Sequence, residues 1–547
     1  MLKTLKLLIF IAILCVTSCN KRDKSNEGKT VFRYNESAGI TSLDPAFARN
    51  QANIWADNQL YNGLLQLDSN LLIRPCIARD WSVSPDGKEY TFQLRTDVYF
   101  HDHPVFDGGK GRRVTATDFV YSLRRLADKK LASPGAWVMG PVTMKNGLPD
   151  IAAVNDTTLV IRLNQAFPPY LGMLSMQYCS VIPREAVEYF KNDFRSNPVG
   201  TGPFRFKMWK EGVKLVMLRN ENYFEHENGK NLPYLDAIAV SFIIDKQTAF
   251  LEFVKGNLDF ISGLDASYKD EILTPSGRLN PAYADRINMT SQAYLNTEYL
   301  GFMVDGSNPI MKNNPLLIRE VRQALNYGFD RKRMIRYLRN GIGEAGTHGF
   351  IPAGLPGYAA NSSFGYDYNP EKARQLLAKA GYPMGEGLPP VTLSTNASYL
   401  DLCQFIQSQL SQIGVKMKID VSPPATMREN IAQARVPFFR GSWIADYPDA
   451  ENYLSMFYSP NHSPDGPNFT QYTNPEFDLL YQAASAENDI TKRSKLYRSM
   501  DSLMMLDAPV MVLFYDQVLR FSRKNIHNLG SNPLNLLELK RVKKTEE

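Results

Sequence analysis

Apolar and polar residues alternate at two different periods along this chain, and the switches between them mark its elements. EYTFQLR (Glu89 to Arg95) and TTLVIRL (Thr157 to Leu163) alternate every second residue, as strands with one buried face do. In TATDFVYSLRRL, Thr115 and Asp118 stand at capping-box spacing, and Phe119, Leu123 and Leu126 share one helical face, which predicts a helix start. The fullest pattern covers 369 to 443. NPEKARQLLAKAG places Asn369 as N-cap, Pro370 at the first helical position and Gly381 where a left-handed residue ends a helix. PVTLST then reads as a strand, and SYLDLCQFIQSQLSQIG as a helix with Leu402, Phe405, Ile406, Leu410 and Ile413 on one side. VKMKIDV follows as a strand. Strand, crossover helix and strand make a βαβ unit, which builds a parallel sheet and predicts a mixed α/β domain.

VPFFRGSW reads as a further strand of that sheet, followed by the loop WIADYPD. In open α/β sheets ligands gather outside the carboxyl ends of strands, so this loop stands where a site is expected. Trp443 offers an aromatic face, and Asp446 at a cleft wall suits an ammonium group. The other reading is a helix entry, with Asp446 or Asp449 as N-cap before AENYLSMF and with Trp443 and Tyr447 as packing.

Length changes this picture by requiring more than one core: 547 residues predict two or three domains. The first nineteen residues, MLKTLKLLIFIAILCVTSC, carry two lysines, a ten-residue apolar run from Leu7 to Val16 and small residues before Cys19. That is the layout of a secretory signal, and the run is too short to span a bilayer comfortably. VTSC resembles the bacterial lipobox, which implies cleavage before Cys19 and acylation of its thiol. A plain signal peptide with an incidental cysteine is the alternative. Residues 20 to 30, NKRDKSNEGKT, lack apolar side chains and read as a flexible tether. Later stretches never reach about 18 consecutive apolar residues, so the body is expected to be soluble.

Loss of Lys3 and Lys6 with the leader lowers the formal charge from +6 to +4, too mild to argue for a nucleic-acid partner. Cys76, Cys179 and Cys403 are far apart and odd in number, so they predict neither a disulfide framework nor a zinc site. The sequence has no GxSxG, HExxH or CxxC, and GGKG at 108 to 111 lacks the spacing of a phosphate loop. No enzyme, cofactor or metal is expected on that basis. His101 and His103 form the one close histidine pair; it reads as a solvated loop after a strand in preference to a metal site, since no third ligand is evident.

Eight stretches in order carry a resemblance: SLDP (Ser42 to Pro45); YNGLLQLD with PCIARDWSVSPDGKEYTFQLR; TATDFVYSLRR; PVGTGPF (Pro198 to Phe204); GNLDF (Gly256 to Phe260); RQALNYGFDR (Arg322 to Arg331); NPEKARQLLAKAGY; and WIADYPD. Over residues 31 to 525 the chain resembles the extracytoplasmic solute-binding proteins, family 5, of ABC importers for peptides, nickel and related cargo. The resemblance implies a two-lobed α/β periplasmic-binding-protein fold, type II-like, with an additional domain inserted in the first lobe and a ligand cleft between the lobes. Lobe I would comprise 31–62, 199–285 and 510–547; the extra domain 63–198; and lobe II 286–509.

In peptide-binding members the acid of the W-x-x-D pattern holds the peptide α-amine, which falls here on Asp446. The backbone at Trp443 and Ile444 would pair with the extended peptide as an added strand, with Tyr447 beside it. An arginine three before the tryptophan meets the ligand carboxylate in some members; Arg440 stands there, or is a strand residue facing solvent. The implied protein is a monomeric lipoprotein outside the cytoplasm, delivering short peptides to an ABC permease. A metal chelate, haem or a saccharide is the alternative cargo, and a secreted hydrolase the reading from another class. Two departures from the family pattern lie in YLGFMVD, at Met303, and in the long turn HDHPVFDGGKGRR.

Overall fold

The computed structural model describes residues 28–265 and 267–546. The expected leader with Cys19, and residues 20–27 of the expected tether, lie outside them.

A mixed sheet of eleven strands organises the chain. Its first half runs in the order Phe204–Lys210, Lys214–Arg219, Ala237–Ser241, Val31–Asn35 and Phe260–Ser262. Its second half runs Phe438–Ile444, Val391–Thr395 and Met417–Val421. Between them lie two long antiparallel strands, Ile287–Phe302 and Val510–Arg523, which cross from one half to the other. The short strand Glu344–Ala345 pairs onto Val510–Arg523. VMVLFY at the start of Val510–Arg523 is apolar without interruption because that stretch is buried on both faces. The register of the long pair shifts between Ala293 and Thr297, a bulge that bends it between the halves.

The predicted βαβ unit is present. Val391–Thr395 pairs in parallel with Met417–Val421, and helix Leu400–Ser411 joins them. Ile406, Leu410 and Ile413 are buried, while Leu402 and Phe405 pack half-buried against the same core. Helix Pro370–Lys379 begins where Asn369 accepts the Lys372 N–H at 3.0 Å, and Gly381 follows it with φ +90°. The parallel arrangement is local, because Phe438–Ile444 is parallel to Val391–Thr395 but antiparallel to the long strand Ile287–Phe302.

Residues 78–162 carry a separate four-stranded antiparallel sheet that includes both period-two strands, Glu89–Leu94 and Thr158–Arg162. Helix Ala116–Leu126 packs on it, and the Thr115 N–H donates to Asp118 Oδ2 at 2.9 Å. The long turn after Phe100 does not leave His101 solvated, contrary to the sequence reading. His101 is buried, its Nδ1 accepts the Gly200 N–H at 3.3 Å, and its Nε2 donates to the Gly202 carbonyl at 2.9 Å. With both ring nitrogens engaged by backbone, burial holds its pKa down at about 4. Cys76, Cys179 and Cys403 are free and buried.

Candidate functional site

The strand Phe438–Ile444 includes Trp443 and Ile444, so the loop proper starts at Ala445. A buried amide that the sequence did not single out holds this corner. Asn452 Oδ1 accepts both the Trp443 indole N–H at 3.0 Å and the Asp446 backbone N–H at 3.1 Å. Its Nδ2 donates to Asp446 Oδ2 at 3.2 Å. One side chain thereby fixes the tryptophan and the acid together. Nothing in the sequence marks Asn452, which sits six positions after Asp446 on the next helical turn, Glu451–Leu454.

The other oxygen, Asp446 Oδ1, has no hydrogen-bond or ionic partner among the described residues. Asp446 opens to solvent on one side and is walled by protein on the others. That partial desolvation raises its carboxyl above the ordinary range, opposed by the Asn452 hydrogen bond. Asp449 takes the structural part. It is buried and accepts the Tyr497 hydroxyl at 2.6 Å, the Glu451 N–H at 3.0 Å and Arg493 at 3.3 Å. It therefore satisfies the amino end of the short helix, and of the two acids weighed as caps Asp446 is the one left open. Tyr447 is buried and donates to Glu451, which also accepts the Tyr481 hydroxyl. Burial pushes Glu451 up to about 7, with the two phenol hydrogen bonds opposing.

Among the described residues, no strand pairs with the outer edge of Phe438–Ile444 along Ser442 and Ile444. Its register with Val391–Thr395 reaches only Ser394 opposite Phe439. On the other side, the Ala445 N–H donates to the Leu295 carbonyl at 2.9 Å, which sets the phase of the ladder with Ile287–Phe302. Gly441, Trp443 and Ala445 consequently aim their main-chain groups at the long strand, and Ser442 and Ile444 aim theirs at the open edge. Ile444 is exposed.

Arg440 does not face solvent. It is buried, paired with the buried Glu298 opposite the next rung of the ladder, and its guanidinium carbon lies 3.3 Å from the centre of the Tyr399 ring. Burial raises the Glu298 carboxyl and the Arg440 charge opposes that rise.

The facing wall comes from the segment that joins Val31–Asn35 to Phe204–Lys210 in the chain. Tyr447 packs against Trp137 with ring centres 6.2 Å apart, and Gly172 lies against Tyr447 and Pro448 so closely that an added Cβ would be 3.4 Å from the Tyr447 Cβ. Tyr178, on the same surface, has its hydroxyl raised to about 12 by burial first and by the Asp446 charge second. In the first half a crevice of about 480 Å³ opens at the carboxyl ends of Val31–Asn35 and Ala237–Ser241, lined in part by Asn35, Glu36, Ile244 and Leu264. In the second half the strand Phe438–Ile444 ends in the exposed Asp446 loop, so each half opens to solvent at the carboxyl end of a strand, in the manner of open α/β sheets. Among the described residues no group of three or more His, Cys, Asp or Glu is placed to hold a metal ion.

A fold with two sheet halves, two crossing strands and a cleft at the strand ends defines a binding protein of the two-lobed α/β class. Residues 73–465 match the family model for bacterial extracellular solute-binding proteins, family 5, and the chain belongs to that family. It is 27% identical over 513 residues to heme-binding protein A of Haemophilus influenzae, covering 90% of this chain and 89% of that one. It is 26% identical over 492 residues to the dipeptide-binding protein of Escherichia coli, covering 87% of each. Among solved structures, the periplasmic binding protein DppA of Helicobacter pylori in complex with the peptide STSA has a TM-score of 0.77 at 25% identity, covering 95% of this chain and all of that one. Family members work outside the cytoplasm as the solute-binding components of ABC importers. No helix among the described residues is long and apolar enough to cross a membrane.

Proposed function

We propose that this protein captures short peptides between its lobes by their free amino terminus and hands them to a membrane permease. The observation that carries the reading is Asp446 Oδ1, an oxygen without a partner among the described residues, on a carboxylate fixed in place by Asn452 and open to solvent. A partly desolvated carboxylate without a counter-ion favours an arriving ammonium, and such a charge-assisted hydrogen bond contributes about 1.5–3 kcal/mol. The open main chain at Ser442 and Ile444 gives an extended peptide a strand to pair with, so side chains alternate away from the protein backbone and sequence preference stays broad. Trp443 and Tyr447 shape the floor: the first is held by Asn452, the second by Glu451.

The relatives differ in cargo by name, so the peptide reading rests on Asp446 rather than on kinship. In this reading 31–62, 199–285 and 510–547 form lobe I, 63–198 the extra domain and 286–509 lobe II. The protein acts as a monomer tethered through an acylated Cys19. Mass spectrometry of the cargo that co-purifies with the protein tests the proposal: peptides with free amino termini support it, and haem, a metal chelate or a saccharide in their place overturns it.

A further inference from the structure

The first-half crevice carries an acid of its own. The crevice holds about 480 Å³ and opens at the carboxyl ends of Val31–Asn35 and Ala237–Ser241. Trp55, Phe250 and Tyr268 give it an aromatic wall, and the last two rings stack with centres 4.8 Å apart. Ile244, 83% exposed, adds free apolar surface. Glu36 also lines the crevice and is fixed there by its backbone. Its N–H donates to the Ser241 carbonyl at 2.9 Å, and its carbonyl accepts the Gly39 N–H at 3.1 Å.

The Glu36 carboxylate is half-buried. Its Oε1 accepts the Ala38 N–H at 3.3 Å, and its Oε2 has no partner among the described residues. Lys246, the one cation among the described lining residues, pairs with Asp265 at 3.0 Å. Two acids and one lysine leave the crevice with a net negative charge. Burial raises the Glu36 carboxyl above its ordinary range, opposed by the Ala38 N–H and by the charge of Lys246. A long cationic side chain suits these surroundings: its charged head meets a carboxylate beside aromatic rings, and its methylene stem lies on apolar surface.

The crevice and the Asp446 loop sit at strand ends that run toward each other along the crossing pair. Phe260–Ser262 follows Val510–Arg523 until the Gly263 N–H donates to the Leu519 carbonyl at 2.8 Å, and Gly263 lines the crevice. Phe438–Ile444 follows Ile287–Phe302 in the opposite direction until the Ala445 N–H donates to the Leu295 carbonyl. Leu519 lies opposite Ser291, so the two ends are four residues, or about 13 Å, apart along Ile287–Phe302. They border opposite edges of the pair, three strand spacings or about 14 Å across. An extended peptide of roughly six residues spans the resulting distance of about 20 Å.

We infer that this crevice receives a lysine or arginine side chain of the cargo on Glu36, which narrows an otherwise broad sequence preference at one position. The inference deepens the peptide reading above and rests on it.

The test offers the purified protein hexapeptide pools in competition and reads the captured peptides by mass spectrometry. One pool carries a single lysine or arginine at positions three to six, and another carries norleucine or citrulline in its place. Each pool is supplied with a free and with an acetylated amino terminus. The wild-type protein is expected to capture the cationic peptides at least fivefold over their neutral counterparts. Glu36→Gln, which keeps an oxygen for the Ala38 N–H, is expected to capture both alike while still rejecting acetylated peptides. Equal capture of cationic and neutral peptides by the wild type overturns the inference, as does a preference that survives unchanged in Glu36→Gln. Indifference to acetylation with the cationic preference intact defeats the Asp446 anchor and supports the crevice by itself. Capture of none of the pools overturns both.

Discussion

Asn452 and Asp446 are joined twice, by Asn452 Oδ1 accepting the Asp446 N–H at 3.1 Å and by Asn452 Nδ2 donating to Asp446 Oδ2 at 3.2 Å. The second bond spends one carboxylate oxygen to orient the other. An acid so held loses little freedom when a ligand arrives, which is what preorganisation of a charged anchor requires. Asn452→Ala is expected to weaken peptide binding about five- to tenfold, near 1 kcal/mol, by freeing both Asp446 and the Trp443 indole. Calorimetry checks it; unchanged affinity would mean that the loop backbone alone positions the acid.

Arg440 and Glu298 form a buried pair in the second half of the sheet, beside the bend of the crossing strands. Removing one partner leaves an uncompensated buried charge, so Arg440→Met should destabilise by about 3–5 kcal/mol in urea unfolding. The double variant Arg440→Met, Glu298→Leu should recover most of that loss. A single variant as stable as the double would show that the pair is not desolvated as the geometry requires.

Glu451 sets a pH dependence with a defined sign. Its pKa is raised from the ordinary 4.5 to about 7 in the folded protein, so the fold favours its protonated form. The stability this contributes is complete below about pH 4.5 and is lost as pH rises through 7, a change of roughly 3 kcal/mol. Asp501, also pushed up to about 7 by burial, acts in the same direction. Glu451→Gln should keep a hydrogen-bonding partner for Tyr447 and Tyr481 and flatten its share of the slope in unfolding measured from pH 4.5 to 8. A slope unchanged in this variant would assign the dependence elsewhere.

His101 works on the acid side. Its pKa is lowered to about 4, so its contribution is complete above about 6.5 and is lost as pH falls through 4. His101→Phe should cost about 1–3 kcal/mol by leaving the buried Gly200 N–H without an acceptor, while the Gly202 carbonyl keeps the Asn220 amide at 3.0 Å. The same variant should unfold at acid pH with a shallower dependence than the wild type, as followed by circular dichroism.

The sequence made local things legible and left cross-chain partners hidden. Asn369, Pro370 and Gly381 bound a helix because each acts on backbone within a turn of itself, and the βαβ unit from 391 to 421 announces itself by period alone. WIADYPD was readable as a loop at a strand end because the apolar run before it stops there. Capping and spacing leave Asp446 and Asp449 level as the open acid and only the family resemblance points to Asp446; the physical reason lies in Tyr497 and Arg493, more than forty positions from Asp449. Glu298 hides the fate of Arg440 for the same reason, lying 142 residues off on a strand that meets it only through the ladder. His101 looked like a loop residue because its burial comes from Gly200 and Gly202, which no pattern near 101 foretells.

The central claim is that Asp446 holds a free α-amine. Calorimetric titration of the soluble body with a co-purifying peptide and with its N-acetylated form tests it most directly. Acetylation should weaken binding at least tenfold, about 1.4 kcal/mol, and Asp446→Asn should bind the free peptide as weakly as the wild type binds the acetylated one. Equal affinity of the wild type for the two peptides would contradict the claim.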